Sequence, residues 1–171
     1  SKRTGNEKEF NLLEKIYSKE KGRPACPVCG GEVVKPEGEV MYYCSNAACP
    51  AQLQGRIEFF VSRGAMDIRG IGEKFIELLL KEQLVKDAAD LYSLKKEQIV
   101  QLEKKGEKSA DNIIKAIEKS KQTSLPRLLN ALGIRHVGEE TANLLAGHYE
   151  DIDDLGNASR EKLMTVPSIG P

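Results

Sequence analysis

Apolar residues recur at helical spacing along most of the chain from Ile57 onward. Ile57, Phe60 and Val61 begin the pattern, and apolar residues three and four positions apart continue it. The pattern predicts further helices over residues 73–82, 95–102, 108–119, 124–132, 139–146 and 159–164. Glycine or proline separates the runs and marks the turns. We therefore expect a mainly α fold after residue 56.

The stretch before residue 56 has a different pattern. A valine pair at residues 33–34 and an apolar run at residues 40–43 predict two short strands, joined by a turn at 35–38. Residues 1–24 are densely charged and resemble a linker. The predicted domains are a charged linker over 1–24, a small unit with short β-strands over 25–56, and a helical domain over 57–171.

The helical domain contains an internal repeat centred on glycine. Gly72, Gly106, Gly138 and Gly170 recur at intervals of 34, 32 and 32 residues. An apolar residue stands four positions before each glycine, and Glu follows the first three. This period indicates a repeated helix–turn–helix unit. The fourth copy lacks its second helix, which predicts a truncated repeat and a chain cut from a longer protein.

A glycine turn that opens a helix is suited to hold phosphate. Glycine lets a ligand approach the backbone closely, and the first amides of the helix have no partner within it. The positive end of the helix dipole adds attraction for an anion. The predicted phosphate-contacting residues are Gly70, Ile71, Gly72, Lys74, Lys104, Gly106, Lys108, Arg135, Gly138 and Gly170.

The copies are not identical at the first position of the turn. Gly70 stands there in the first copy, and Lys104, His136 and Ser168 replace it in the others. The simpler interpretation is that all four are ordinary turns of a helical bundle, in which glycine is common. Four and seven residues after each repeated glycine, the pattern predicts buried helix positions: Ile76, Ala110, Ala142, Leu79, Ile113 and Leu145.

The four cysteines of the chain, Cys26, Cys29, Cys44 and Cys49, lie within 24 residues. Two closely spaced pairs beside glycines favour tetrahedral Zn²⁺ with four thiolate ligands, a structural rather than a catalytic site. Such a metal would replace the core that a segment of about 30 residues cannot build. Two disulfides or a redox dithiol are the alternatives.

Composition limits the function classes. The 26 basic and 26 acidic residues give zero net charge, which counts against nucleic acid unless backbone amides or segregated charges bind it. Aromatic residues are few and Trp is absent, which argues against a base-stacking platform. No apolar run approaches the ~20 residues of a membrane helix. His136 and His148 lack sequence partners that would favour catalysis.

Together, the cysteine cluster and the repeats resemble the C-terminal part of bacterial NAD-dependent DNA ligases. The resemblance covers residues 23–171 and is carried by the stretches 26–30, 44–52, 67–72, 108–110, 132–135 and 137–139. It implies a four-cysteine zinc finger followed by four helix-hairpin-helix repeats. Residues 1–22 would then be the exit from the family's oligonucleotide-binding domain.

The resemblance also implies a function. In that family the hairpins bind nicked double-stranded DNA across the minor groove without reading bases, during replication and repair. The parent enzyme would use NAD⁺ and Mg²⁺, reside in the bacterial cytoplasm on the nucleoid, and contain further domains in cis. No Lys-x-Asp-Gly motif occurs here, so this chain is expected to be non-catalytic. A protein-interaction scaffold, or the DNA-binding module of another repair enzyme, remains an alternative.

Overall fold

The computed structural model describes residues 17–18, 22–38, 40–46, 48–103 and 106–170. The chain divides into two compact units, which meet in sequence between Leu53 and Gln54. Most of the predicted linker, and Lys104, lie outside the described residues. The predicted domain boundaries stay predictions.

The first unit is built from short antiparallel strands. β1 (Tyr17–Ser18) pairs with β2 (Arg23–Pro24), and β3 (Val33–Val34) pairs with β4 (Tyr43–Cys44) in the register Val33 with Cys44. The predicted second strand over 40–43 is therefore shifted toward the cysteine. β4 begins only at Tyr43, and Val40 and Met41 before it are exposed.

Helices make up most of the second unit. Their bounds are α1 Pro50–Val61, α2 Glu73–Lys81, α3 Lys96–Glu103, α4 Glu107–Ser120, α5 Leu125–Ala131, α6 Glu139–His148, α7 Ile152–Gly156 and α8 Arg160–Met164, with a 3-10 helix at Ala89–Ser93. The prediction of a mainly α fold is confirmed. α1 crosses the division and begins seven residues before Ile57, where the helical domain was predicted to start. None of the described helices is long and apolar enough to cross a bilayer.

The helical unit is organised around the glycine repeats. Each of the first three repeats has a helix on both sides of its turn, and the fourth turn follows α8. We call these turns hairpin 1 (residues 68–72), hairpin 2 (102–106), hairpin 3 (134–138) and hairpin 4 (166–170). The six predicted helix positions four and seven residues after the repeated glycines are all buried. This confirms that α2, α4 and α6 bury the same face. Around α5 and α6, a core of Leu129, Ala142, Leu145, Tyr149 and Val166 closes hairpins 3 and 4 into one module.

Candidate metal centre and nucleic-acid interface

The four cysteine sulfurs converge on one point. All four Sγ atoms lie within 4.8 Å of one another. The Sγ atoms of Cys26 and Cys49 are 3.8 Å apart, and those of Cys29 and Cys44 are 3.5 Å apart. These separations are too long for a disulfide bond. Four sulfurs at ~2.3 Å from a tetrahedral Zn²⁺ would lie roughly 3.8 Å from one another, so the cluster fits zinc.

Backbone hydrogen bonds hold the first cysteine pair in a tight loop. The Cys26 amide donates to the Gly31 carbonyl at 2.8 Å, and the Gly30 amide donates to the Cys26 carbonyl at 2.8 Å. The Gly31 amide donates to Cys29 Sγ at 3.3 Å. A Cβ at Gly31 would lie 3.0 Å from the Asn46 side chain and 3.1 Å from Cys29 Sγ. The loop therefore presents an amide to sulfur at a place with no room for a larger residue.

β4 and the residues just before α1 position the second cysteine pair, Cys44 and Cys49. Cys44 lies on β4 opposite Val33, and its carbonyl accepts a hydrogen bond from the Gln52 side chain. The Cys49 amide donates to the Asn46 carbonyl, just before α1 begins. Cys49 is fully buried, which suits a sulfur that serves as a metal ligand rather than as a reactive thiol.

The negative charge of clustered thiolates would favour a bound cation. Hydrogen bonds from the Asn46 side chain and the Gly31 amide lower the pKa of Cys29 to about 6. The Asn46 backbone amide lowers the pKa of Cys44, but burial and the neighbouring Cys29 and Cys26 outweigh it and raise that pKa to about 12. Four thiolates this close repel one another, and a divalent cation would remove that repulsion.

Hairpins 1, 3 and 4 share a positive φ at their third residue, although a different residue occupies that position in each. In hairpins 3 and 4 the amide before the repeated glycine donates to the carbonyl three residues earlier, Val137 to Ile134 and Ile169 to Val166. The third residue of each turn has positive φ, +92° at Gly70, +65° at His136 and +68° at Ser168. A type II turn requires positive φ there. His136 and Ser168 thus keep the turn that the missing glycine would have favoured.

The two glycines of hairpin 1 have different physical roles. Gly70 has positive φ, and a Cβ there would lie 2.9 Å from Ile113 Cγ1, so packing explains this glycine. Gly72 has φ −104°, which any residue adopts, and a Cβ would meet open space. Gly106 and Gly138 likewise have negative φ and open space. Within the part of the chain that the structure describes, no contact requires glycine at these three positions.

The three repeated glycines also leave their helices without side-chain caps. Gly72, Gly106 and Gly138 are the N-cap residues of α2, α4 and α6, and none provides a side-chain hydrogen bond. In contrast, Asp151 accepts from two amides of α7, and Ser159 accepts from the Lys162 amide of α8. The hairpin helices therefore present amides that a ligand oxygen can accept from.

Charged side chains surround these helix starts. Lys74 and Lys108 are exposed beside hairpins 1 and 2, and Arg135 is exposed in hairpin 3. Each of the three helices also begins with an exposed glutamate, which complements the helix dipole in the absence of a ligand. The Ile71 side chain is buried, so only its backbone could contact a ligand. Gly170 is exposed at the end of hairpin 4.

The histidines have structural explanations. His136 occupies the positive-φ position of hairpin 3. Nδ1 of His148 lies 2.8 Å from the Leu144 carbonyl, near the end of α6.

Sequence reasoning missed two polar residues on α5. Arg127 donates to the carbonyls of Arg63 and Ala65, and Asn130 donates to that of Gly64. The partners are 62 to 66 residues apart in sequence, so no local pattern signals the pairing.

Comparisons with known families match the chain in three segments. Residues 25–51 match the family described as NAD-dependent DNA ligase C4 zinc finger domain. Residues 63–119 match the SAM-like helix-hairpin-helix tandem, and residues 127–171 match the helix-hairpin-helix motif. The matched segments contain all four cysteines and all four hairpins.

Similar curated proteins are DNA ligases. The chain is 52% identical over 170 residues to a DNA ligase of Dehalococcoides mccartyi, covering 99% of this chain and 25% of the relative. It is 48% identical over 168 residues to a DNA ligase of Bacillus subtilis, covering 98% of this chain and 24% of the relative. A DNA ligase of Carboxydothermus hydrogenoformans is 49% identical over 170 residues, with shares of 99% and 24%.

The chain thus spans about a quarter of the length of the curated relatives it matches. Its order of segments, a C4 zinc finger followed by helix-hairpin-helix repeats, agrees with the resemblance found in the sequence. The chain therefore belongs to the NAD-dependent DNA ligase family, whose four-cysteine zinc finger and helix-hairpin-helix regions it contains.

Proposed function

We propose that this chain is the duplex-DNA-binding portion of an NAD-dependent DNA ligase, which grips the minor groove and the phosphate backbone around a nick. The observation that carries the proposal is the set of three uncapped helix starts at Gly72, Gly106 and Gly138. A phosphate oxygen can accept from these amides, and the absent Cβ lets it approach. The family membership makes DNA the expected source of the phosphates.

Backbone contacts of this kind explain how a chain with zero net charge can bind DNA. Amides at helix starts contact phosphate without a formal charge, and Lys74, Lys108 and Arg135 add positive charge beside the turns. Contacts to phosphate fix the position of a protein on the duplex but carry no sequence information directly. Binding is therefore sequence-independent and weakens as salt concentration rises.

The zinc site has a structural role in this proposal. Cys26, Cys29, Cys44 and Cys49 would hold a tetrahedral Zn²⁺ through all four of its ligand positions and would leave none for water or substrate. Ligation itself would use NAD⁺ and Mg²⁺ on other domains of the parent enzyme, since no Lys-x-Asp-Gly motif occurs in this sequence. Those domains act in cis, in the bacterial cytoplasm on the nucleoid, during replication and repair.

Substitution of the N-cap glycines by serine tests the proposal. Ser159 already caps α8 by accepting from the Lys162 amide at 3.2 Å. In Gly72→Ser and Gly138→Ser the hydroxyl would engage the open amides, and its Cβ would obstruct a phosphate. We expect stability to rise by a few tenths of a kcal/mol. Affinity for nicked duplex should nevertheless fall about tenfold per substitution, the equivalent of about 1.4 kcal/mol of binding free energy.

Fluorescence anisotropy with nicked and intact duplex, over a series of salt concentrations, measures the affinity. Gly147→Ser is the matched control, because Gly147 is on α6 with open space for a Cβ but does not open the helix. Unchanged affinity in Gly72→Ser and Gly138→Ser would contradict the hairpin contact. No binding by the parent chain at low salt would favour a protein-interaction scaffold instead.

A further inference from the structure

The turn that follows α1 is held by side chains of α5. Three consecutive carbonyls of this turn, those of Arg63, Gly64 and Ala65, each accept a hydrogen bond. Arg127 Nη2 donates to the Arg63 carbonyl at 2.8 Å, and Arg127 Nε donates to the Ala65 carbonyl. Asn130 Nδ2 donates to the Gly64 carbonyl at 3.2 Å.

The two donors are three residues apart on α5, so they project from the same face of the helix. An apolar contact lies beside them. A Cβ at Gly133, just after α5, would be 3.6 Å from Cδ1 of Phe59 on α1. Gly133 has φ +61°, so the same glycine ends the helix and leaves room for the Phe59 ring. We call these contacts of Arg127, Asn130 and Gly133 the α5 joint.

The α5 joint connects the segments that lead directly into two hairpins. The turn that it holds continues into hairpin 1, and α5 continues into hairpin 3. Cavities on either side of Arg127 reach the same hairpins. One of about 470 Å³ is lined by Asp67, just before hairpin 1, and by Arg69 within it. Another of about 390 Å³ is lined by Glu139, the first residue after hairpin 3.

We propose that the α5 joint fixes hairpin 1 relative to hairpin 3, so that both can hold the backbone of one duplex at the same time. Arg127 and Asn130 are positioning residues in this inference, which rests on the DNA-binding function proposed above. We call hairpins 1 and 2 with α2 and α4 the first module, and hairpins 3 and 4 with α5 and α6 the second. Each has its own buried side chains, Ile76 and Ile113 in the first and Leu129 and Leu145 in the second. The modules can therefore remain folded when the joint between them is removed.

The geometry distinguishes a positioning role from a simple phosphate contact. The Arg127 guanidinium uses two of its nitrogens on two carbonyls, which a planar fork can reach together. Lysine keeps the positive charge but has one compact ammonium group and no such fork. Asn130 carries no charge, and Asn130→Leu removes its hydrogen bond at similar size. The double variant Arg127→Lys with Asn130→Leu thus breaks the joint without changing net charge.

The joint itself is tested without DNA. Residual dipolar couplings of backbone amides in α2 and α4, and in α5 and α6, report whether the two modules share one orientation. We expect a single alignment tensor in the zinc-loaded parent chain and two different tensors in the double variant. A single shared tensor in the double variant would overturn the inference. Amide spectra that retain native dispersion show that both modules are still folded.

DNA titration tests the consequence. The slope of log affinity against log salt is proportional to the number of phosphates that bound Lys and Arg side chains neutralise. We expect the double variant to lose about half of this slope and to bind nicked duplex about tenfold more weakly. Loss of a contact with a single phosphate would instead change the slope by about one. Arg160→Lys, a charge-conserving change at an exposed arginine of α8 outside the four hairpins, is the control and should retain the parent slope.

The outcomes separate this inference from the proposed function. If the modules reorient independently but slope and affinity stay at parent values, the positioning role is overturned. If the parent itself fails to bind nicked duplex, the proposed function fails and the DNA part of the inference fails with it. The dipolar couplings then still decide whether Arg127 and Asn130 hold the two modules together.

Discussion

The cysteine unit and the helical unit depend on different sources of stability. Among the described residues up to Leu53, only Ala25 and Cys49 are buried apolar side chains. The helical unit buries large side chains such as Ile57, Phe75 and Leu129. The cysteine unit, which has few buried apolar side chains, therefore depends on a bound metal for its stability. The helical unit depends on the packing of its core. The two units should therefore respond to different perturbations, and four experiments can test this difference.

Zinc removal is expected to have the largest effect. In small metal domains, zinc contributes an apparent free energy of about 10 to 16 kcal/mol. Cys44→Ser, or a chelator, should abolish native resonances over residues 22–46, while those of α2 to α6 persist. Ser45→Ala, next to a ligand, is the control and should retain one zinc per chain by mass spectrometry. Loss of the helical resonances as well would contradict the comparison.

Zinc binding in this unit should also depend on pH in a defined direction. The pKa of Cys44 is raised to about 12 without metal, so this thiol is protonated at neutral pH and must release its proton to bind. Lower pH therefore weakens zinc binding, because protons compete for the sulfur. Calorimetry in buffers of different ionisation enthalpy would measure the released protons. Binding without proton release would contradict this expectation.

Gly70→Ala should destabilise the helical unit and leave zinc in place. The new Cβ would lie 2.9 Å from Ile113 Cγ1 in a backbone with φ +92°. Strain and overpacking together should cost about 2 to 4 kcal/mol, measured by urea unfolding. Gly147→Ala is the control, since its Cβ would meet open space. A loss below about 0.5 kcal/mol would mean that the turn can move away from Ile113.

His136→Gly should have the smallest effect and the opposite sign. A non-glycine residue at φ +65° costs about 1 to 2 kcal/mol of stability, which the glycine variant would recover. The greater entropy of glycine in the unfolded chain would offset about 0.5 to 1 kcal/mol of that gain. A net gain of about 0.5 kcal/mol is expected in thermal unfolding. Arg135, one residue earlier, does not have positive φ, so the control substitution Arg135→Gly should destabilise the unit. A loss of stability in His136→Gly would show that the imidazole itself stabilises the hairpin.

Local patterns predicted most of the fold and of the candidate site. The spacing of the cysteines predicted one metal cluster, and helical periodicity predicted the buried positions from Ile76 to Leu145. The periodicity missed α7, which is only five residues long and depends on the Asp151 cap. It also placed the start of α1 too late, although Pro50 is at a position where proline favours helix initiation.

The remaining features depend on contacts between distant segments. The carbonyls that Arg127 and Asn130 hold are 62 to 66 residues away in sequence, and nothing near α5 identifies them. The collision that requires glycine at position 70 involves Ile113, on another helix. Such constraints become visible only when the packed structure is known.

The positive φ angles at His136 and Ser168 bear on how such repeats diverge. These turns retain the torsion sign of Gly70 with side chains that glycine-based sequence motifs would reject. Substitutions at this position can therefore accumulate while the shape of the loop persists, provided that no neighbour occupies the space of the new Cβ. The sign of φ at each position along a chain would then identify distant members of this repeat in which the characteristic residues have been replaced.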